Sequence, residues 1–187
     1  MTVPLALDLG VLPTALAGGG PALLKRLALL DAEQAPNLEI YSPDPNVAEP
    51  AGGRLVPRLP DEAEIAACRV LFVAGLPPDQ SGELAAIARR HRVLVNVEDT
   101  LPLCDFHVPA ILRRGELAIS ISTGGSSPTL SRRLRAYLAE LFPEDWAERI
   151  ARIAKLRREL RETGASNAEI ACVTDAVIDE EGWLPKR

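Results

Sequence analysis

Apolar residues in the first hundred positions fall into short blocks separated by turn-forming residues, and the blocks alternate between strand-like runs and helical spacing. Residues 11–17 form a short apolar run that stops at Gly18-Gly19-Gly20-Pro21. Beyond it Ala22, Leu23, Leu24, Leu27, Leu29 and Leu30 recur at mainly helical spacing. This predicts strand, glycine turn, helix, with Pro21 in the first helical turn, where its missing N–H is no loss, and Lys25-Arg26 on the polar side. A second strand is predicted over residues 38–42, closed by Pro43-Asp44-Pro45. A short strand over 54–59 is confined to an edge by Pro57. A stronger one covers 69–74 and is stopped by Gly75 and Pro77-Pro78, a helix follows over 81–91, and another buried strand over 92–97. Strands alternating with helices point to an α/β fold with a mainly parallel, doubly wound sheet.

After Pro109 the pattern changes. Residues 116–122 alternate at period two, which predicts a strand with one buried face, and Thr123-Gly124-Gly125-Ser126-Ser127-Pro128 then leads into a basic helix. Two more helices are predicted over about 144–162 and 167–179, the second opened by the capping-box spacing of Ser166 and Glu169. There is no internal repeat and no low-complexity tract.

Length and charge narrow the picture. A chain of 187 residues holds one compact domain, or one domain with a helical appendage, and 47% hydrophobic residues suffice for a core. With 21 Lys and Arg against 26 Asp and Glu, the formal charge of −5 argues against nucleic acid or an anionic membrane as a partner of the whole surface. Eleven of the 21 cations nevertheless lie between Arg113 and Arg161. Cys68, Cys104 and Cys172 form no CxxC pair, so neither a disulfide framework nor a cysteine metal site is expected, and a reducing cytoplasm is the default. The apolar stretch over residues 3–24 lacks a basic leader and is interrupted by Asp8 and the glycine-proline cluster. No uninterrupted apolar stretch is long enough for a membrane span. The expectation is a soluble cytoplasmic protein.

Glycines after a first strand let the backbone approach a pyrophosphate, which then lies at the positive end of the next helix. Gly18, Gly19, Gly20 and Pro21 meet that need, although a tight strand-to-helix turn uses the same residues. The third small residue of a GxGxxG/A pattern falls on Leu23, and Ala22 fits only if the register shifts by one. Two acids could meet a ribose: Glu39 inside the second strand, and Asp44 just past its carboxyl end, where ligands bind in open sheets. No cation stands beside them for a 2′-phosphate, which favours NAD over NADP. Glu98 and Asp99 end a buried strand at the same sheet edge. The hydroxyl- and glycine-rich run from Ser120 to Thr129 offers backbone N–H groups suited to a carboxylate or phosphate, or an ordinary capped loop. His91 follows two arginines at a helix end, His107 precedes Val108-Pro109, and the two form no recognisable metal motif.

The order of these pieces resembles the short siroheme synthase family, the NAD-dependent precorrin-2 dehydrogenases of which some members also insert iron into sirohydrochlorin. The likeness is carried by Gly18-Gly19-Gly20 with Lys25-Arg26, by residues 93–99 ending in Asn96-Val97-Glu98-Asp99, by residues 103–115 with Cys104-Asp105-Phe106 and Arg113-Arg114-Gly115, and by residues 119–128. It spans roughly residues 5–141. It implies a Rossmann-like NAD-binding domain over 1–112, a dimerisation and substrate-contact segment over 113–143, and a small helical domain over 144–187. It maps the family's aspartate for dehydrogenation and chelation onto Asp99, and a hydroxyl near the tetrapyrrole onto Thr123. Where family members commonly have Ala-Thr-Asp after the fourth strand, this chain has Ala74-Gly75-Leu76.

The resemblance thus implies a homodimeric oxidoreductase that binds NAD through Gly18, Gly19, Gly20, Pro21, Asp44, Ala74 and Gly75, with Asp99 as the catalytic group. Expected tetrapyrrole contacts are Asn96, His107, Arg113, Ser122, Thr123, Gly124, Gly125, Ser127 and Arg132. No methyltransferase domain is expected, so another protein would supply the substrate. Fe²⁺ insertion is a secondary activity under this reading. A chelatase that has lost its nucleotide site and a non-catalytic dinucleotide or tetrapyrrole sensor are the alternatives. A polycarboxylate ligand also needs cations to offset its desolvation, and Arg113, Arg114, Arg132, Arg133 and Arg135 stand near the Gly-Gly loop to supply them, unless they lie on a solvated helix face.

Overall fold

The computed structural model describes residues 3–185, and the chain divides after Val108 into two compact units. The first is built on a parallel sheet of β1 (Thr14–Gly18), β2 (Leu38–Tyr41), β3 (Leu55–Val56), β4 (Val70–Ala74) and β5 (Leu94–Val97), in the order β3-β2-β1-β4-β5. Helices α1 (Gly20–Ala32), α2 (Ala48–Ala51), α3 (Glu62–Ala67) and α4 (Pro78–Arg90) join the strands. Along β4, Val70, Phe72 and Ala74 belong to one core cluster with Leu23, Leu27 and Leu30 of α1, while Leu71 and Val73 belong to another with Leu84, Ala85 and Ala88 of α4. Every residue of β1 and β4 is buried. Covering a parallel sheet on both faces is what makes its strands continuously apolar rather than alternating.

Several boundaries move from the sequence-based expectation. The first strand starts at Thr14 and not at Val11, because the amides of Val11 and Leu12 turn back to the Asp8 carbonyl at 3.3 and 3.2 Å. Helix α4 begins at Pro78: Pro77 is its N-cap and Pro78 opens it, so the proline pair starts the helix as well as ending the strand. Helix α3 was not anticipated, though Asp61 and Glu64 form a capping box at its start. Arg26 is not on the polar side of α1. It is half-buried, with its guanidinium carbon 5.4 Å from the centre of the Phe72 ring.

The second unit carries an antiparallel pair, β6 (Ala110–Arg114) and β7 (Leu117–Ile121), followed by α5 (Pro128–Leu141), α6 (Trp146–Glu162) and α7 (Asn167–Glu180). β6 was not anticipated. Arg114 pairs with Leu117 across the two-residue turn Gly115-Glu116, and Gly115 has φ +57°, the tight hairpin geometry that glycine permits. Ser127 caps α5, and Ser166 with Glu169 forms the expected capping box of α7. Arg149 of α6 lies over the rings of both Trp146 and Trp183, at 5.1 and 5.6 Å, tying the segment after α7 to α6.

Candidate functional site

In the first unit the candidate residues gather where parallel strands end. β1 and β4 are neighbours at the centre of the sheet, and open α/β sheets bind ligands beyond the carboxyl ends of strands at such a switch point. Gly18 leaves β1 so close to the end of β4 that a Cβ there would stand 1.7 Å from the Ala74 oxygen, and the Gly19 amide donates to that oxygen at 3.1 Å. Gly75 returns the approach: at φ +73°, a Cβ on it would lie 2.1 Å from the Gly19 oxygen and 3.4 Å from the Ala22 Cβ. Ala74-Gly75 is therefore the partner loop of the glycine turn. The small residue at this contact is Ala22, while Leu23 is wholly buried in the core and takes no room from the turn.

Of the two candidate acids, Asp44 reaches the turn. Its Oδ2 accepts the Gly20 amide at 2.8 Å, and its Oδ1 accepts the backbone and side-chain N–H groups of Asn46, both at 2.9 Å. The amides of Asn46 and Gly20 hold its carboxyl below the usual aspartate range. Glu39 instead accepts the Tyr41 hydroxyl at 2.6 Å, further back in β2. A Cβ on Gly20 would meet nothing within 4 Å, and Gly19, the N-cap of α1, has no side chain to cap it, so Asp44 takes the first amide of the helix from outside. A glycine turn facing open space at a helix N-terminus, with an acid past the end of the next strand, is a donor set that fits a dinucleotide.

The end of β5 has two layers. Asn96 is buried, and its amide donates to the Phe106 carbonyl at 2.9 Å, which gives it a scaffold duty. The Asp105 amide meets the Val95 carbonyl at 2.8 Å, its carboxylate accepts the Val95 amide at 3.2 Å, and the Cys104 thiol donates to the Val97 carbonyl at 3.1 Å. The Cys104-Asp105-Phe106 segment thus covers the free edge of the sheet. Beyond it Asp99 is exposed, and its side chain makes no hydrogen bond among the described residues. Its φ of +57° is left-handed, a conformation that Asn and Asp tolerate better than other side chains.

Sequence reasoning missed the charges beside Asp99. The Glu98 side chain is only 14% exposed; one of its oxygens stands 3.5 Å from Lys25 Nζ, and the other is buried with no hydrogen-bond partner. Burial draws the Arg26 guanidinium below its ordinary pKa, opposed first by the charge of Glu98. Lys25-Arg26 was the visible signal, but only the helix phase shows which of the two turns inward. His107 is exposed, and Glu62 accepts a hydrogen bond from Arg90 at 2.9 Å and lies 2.8 Å from His91.

In the second unit the hydroxyl loop braces itself. Thr123 Oγ1 accepts the Ser127 amide at 3.1 Å and lies 3.2 Å from Ser131 Oγ, while Ser122 Oγ accepts the Gly124 amide at 3.2 Å. Gly124 and Gly125 have φ of +60° and +82°, so the Gly-Gly turn uses the left-handed region that glycine allows. Arg113 and Arg132 are exposed. Arg114 departs from the expectation: only 12% of its side chain is exposed, and it donates to the Phe142 carbonyl at 2.7 Å and pairs with Glu144 at 3.2 Å. It is a brace between β6 and the end of α5, and not a ligand contact.

Comparison with known proteins matches both parts of the chain. A family model described as putative NAD(P)-binding matches residues 5–110, and one described as sirohaem biosynthesis protein central matches residues 114–141. The siroheme synthase of Methylococcus capsulatus is 34% identical over 164 residues, covering 86% of this chain and 34% of that protein. The siroheme synthase of Pseudomonas putida (strain F1) is 32% identical over 149 residues, covering 77% of this chain and 32% of that protein. The chain therefore spans about a third of the length of these relatives. Among solved structures, SirC, a precorrin-2 dehydrogenase, superimposes with a TM-score of 0.77 at 21% identity, covering 98% of this chain and 92% of that chain, which shows a shared fold.

Proposed function

Because the chain belongs to the family of siroheme synthase N-terminal regions and precorrin-2 dehydrogenases, we propose that it oxidises precorrin-2 to sirohydrochlorin with NAD⁺ as acceptor. The observation that carries this reading is the interlocked turn of Gly18, Gly19 and Gly75, with Asp44 on the Gly20 amide, one strand away from the carboxylate of Asp99. When bound, NAD⁺ supplies the hydride acceptor. The first turn of α1 would hold the pyrophosphate, with Gly20 and Pro21 lining its approach, and Asp44 would take a ribose hydroxyl. Asp99 accepts the proton that leaves the macrocycle as the hydride departs, so precorrin-2 and NAD⁺ give sirohydrochlorin, NADH and H⁺. Anaerobic incubation of the full chain with precorrin-2 and NAD⁺ is expected to give NADH and sirohydrochlorin in equal amounts. Precorrin-2 recovered unchanged, with no NADH, overturns the reading.

Asp44 sets the choice of nucleotide in this reading. A carboxylate accepts a ribose 2′-hydroxyl and repels a 2′-phosphate, and the adjoining residues Pro43, Pro45 and Asn46 carry no cation. Asp44→Ala is expected to weaken NAD⁺ about tenfold and to leave NADP⁺ unchanged or tighter, read by calorimetric titration of both. Equal weakening of both nucleotides would place Asp44 outside the ribose site.

The reading includes a homodimer, with residues 113–143 as the shared and substrate-contacting segment, 144–187 as a small helical domain, and the cytoplasm as the compartment. Among the described residues no helix is long and apolar enough to cross a membrane. Support for the dimer comes from α5, where Leu130, Leu134, Tyr137 and Leu141 are 48%, 38%, 57% and 53% exposed. Their spacing of four, three and four residues lays one apolar stripe along the helix, a seam suited to a second copy of the same surface. Leu134→Asp with Tyr137→Asp is expected to yield a monomer in sedimentation with the helical signal kept. A wild-type chain that already sediments as a monomer would remove the dimer from the reading.

A further inference from the structure

Lys25 and Arg26 are adjacent in α1 and behave as opposites. Arg26 turns inward over Phe72, whereas 82% of the Lys25 side chain is exposed. The ammonium of Lys25 stands 3.5 Å from Glu98, the residue that precedes Asp99. The pair is unequal, since Glu98 is mostly buried at a strand end and Lys25 is a flexible stem in water, so Glu98 is the fixed partner. At 3.5 Å, with one partner so exposed, the contact is weak and exchangeable. The other Glu98 oxygen is buried without a hydrogen-bond partner, and besides Lys25 the cation that acts on this carboxylate is the half-buried guanidinium of Arg26.

We infer that Lys25 is a carboxylate-docking residue for the substrate and that Glu98, at the end of the strand that leads to Asp99, is its positioning residue, holding the ammonium until an acidic group of the ligand takes it. This rests on the dehydrogenase reading, in which the ligand is a macrocycle bearing many carboxylates. A lysine suits the task as a point charge on a long stem, able to follow a flexible acetate or propionate arm. With Arg114 committed to bracing β6, Lys25 adds a cation to the substrate set that lies in the nucleotide-binding unit itself.

The test uses the full chain and uroporphyrin, a stable octacarboxylate porphyrin, titrated by fluorescence, with NAD⁺ titrated separately. Lys25→Met is expected to weaken uroporphyrin about fivefold, to reduce the dependence of affinity on salt, and to leave NAD⁺ affinity unchanged, with Lys25→Arg restoring most of the loss. Glu98→Gln is expected to shift uroporphyrin affinity by less than Lys25→Met does, and to add no shift in the Lys25→Met background, because Glu98 acts through Lys25. Unchanged uroporphyrin binding by Lys25→Met overturns the inference, as does an equal loss for NAD⁺, which would mark a phosphate contact. Additive losses overturn the role of Glu98. If the wild-type chain binds NAD⁺ but not uroporphyrin, the substrate reading falls and this inference falls with it.

Discussion

Asp99→Asn is expected to slow NADH formation from precorrin-2 by about 100- to 1,000-fold while NAD⁺ affinity stays within about twofold of the wild type. Asn is the informative replacement. It keeps the size of the side chain and tolerates the left-handed backbone at φ +57°, so the end of β5 is not disturbed, whereas Ala would add conformational strain. It removes the one property the mechanism requires, an acceptor for the departing proton. The carboxylate is exposed and its oxygens are taken by no neighbour among the described residues, so its loss leaves no buried group orphaned. Single-turnover rates with saturating NAD⁺ read the chemical step directly. A loss smaller than about threefold would remove Asp99 from the reaction.

The second large effect separates two glycines that look alike in the sequence. Gly18→Ala is expected to cost about 3 kcal/mol or more of stability, or to prevent folding. The new Cβ would stand 1.7 Å from the Ala74 oxygen, so two central strands must part, and the residue would hold φ +146° without glycine's freedom. Gly20→Ala meets no atom within 4 Å, and its backbone at φ +64° costs a side chain only about 1–2 kcal/mol. Its Cβ projects into open space at the turn, where the proposed reading puts the pyrophosphate, so NAD⁺ affinity is expected to fall at least about tenfold with the fold intact. Urea unfolding and NAD⁺ titration of the two variants check both halves. A Gly20→Ala chain that binds NAD⁺ as the wild type does would move the pyrophosphate away from this turn.

Much of the fold was legible because its signals are local. Short apolar-rich runs bounded by turn residues marked β1, β2, β4 and β5, the glycine cluster with Pro21 marked the start of α1, and Ser166 with Glu169 marked the start of α7. The features that escaped are short or depend on a partner. β3 shrank to two residues at the sheet edge, α3 has six residues, and β6 lacks clear alternation because its last two positions are arginines. The Gly115-Glu116 turn was the available sign of β6.

The sequence by itself determined the alternation of strand and helix, the glycine turn after the first strand, the acids at the ends of β2 and β5, and the likeness to a family. Each depends on residues close together along the chain, where backbone freedom, hydrogen-bonding capacity and apolar period act directly. Only the tertiary structure decided between Ala22 and Leu23 at the turn, between Asp44 and Glu39 beside Gly20, and between Lys25 and Arg26 as the outward cation. It also withdrew Arg114 from the ligand set and exposed the half-satisfied carboxylate of Glu98. These outcomes are set by helix phase against the sheet and by partners such as the Phe142 carbonyl, 28 positions away from Arg114. A chain reveals such partners only when packing brings them within a few ångströms.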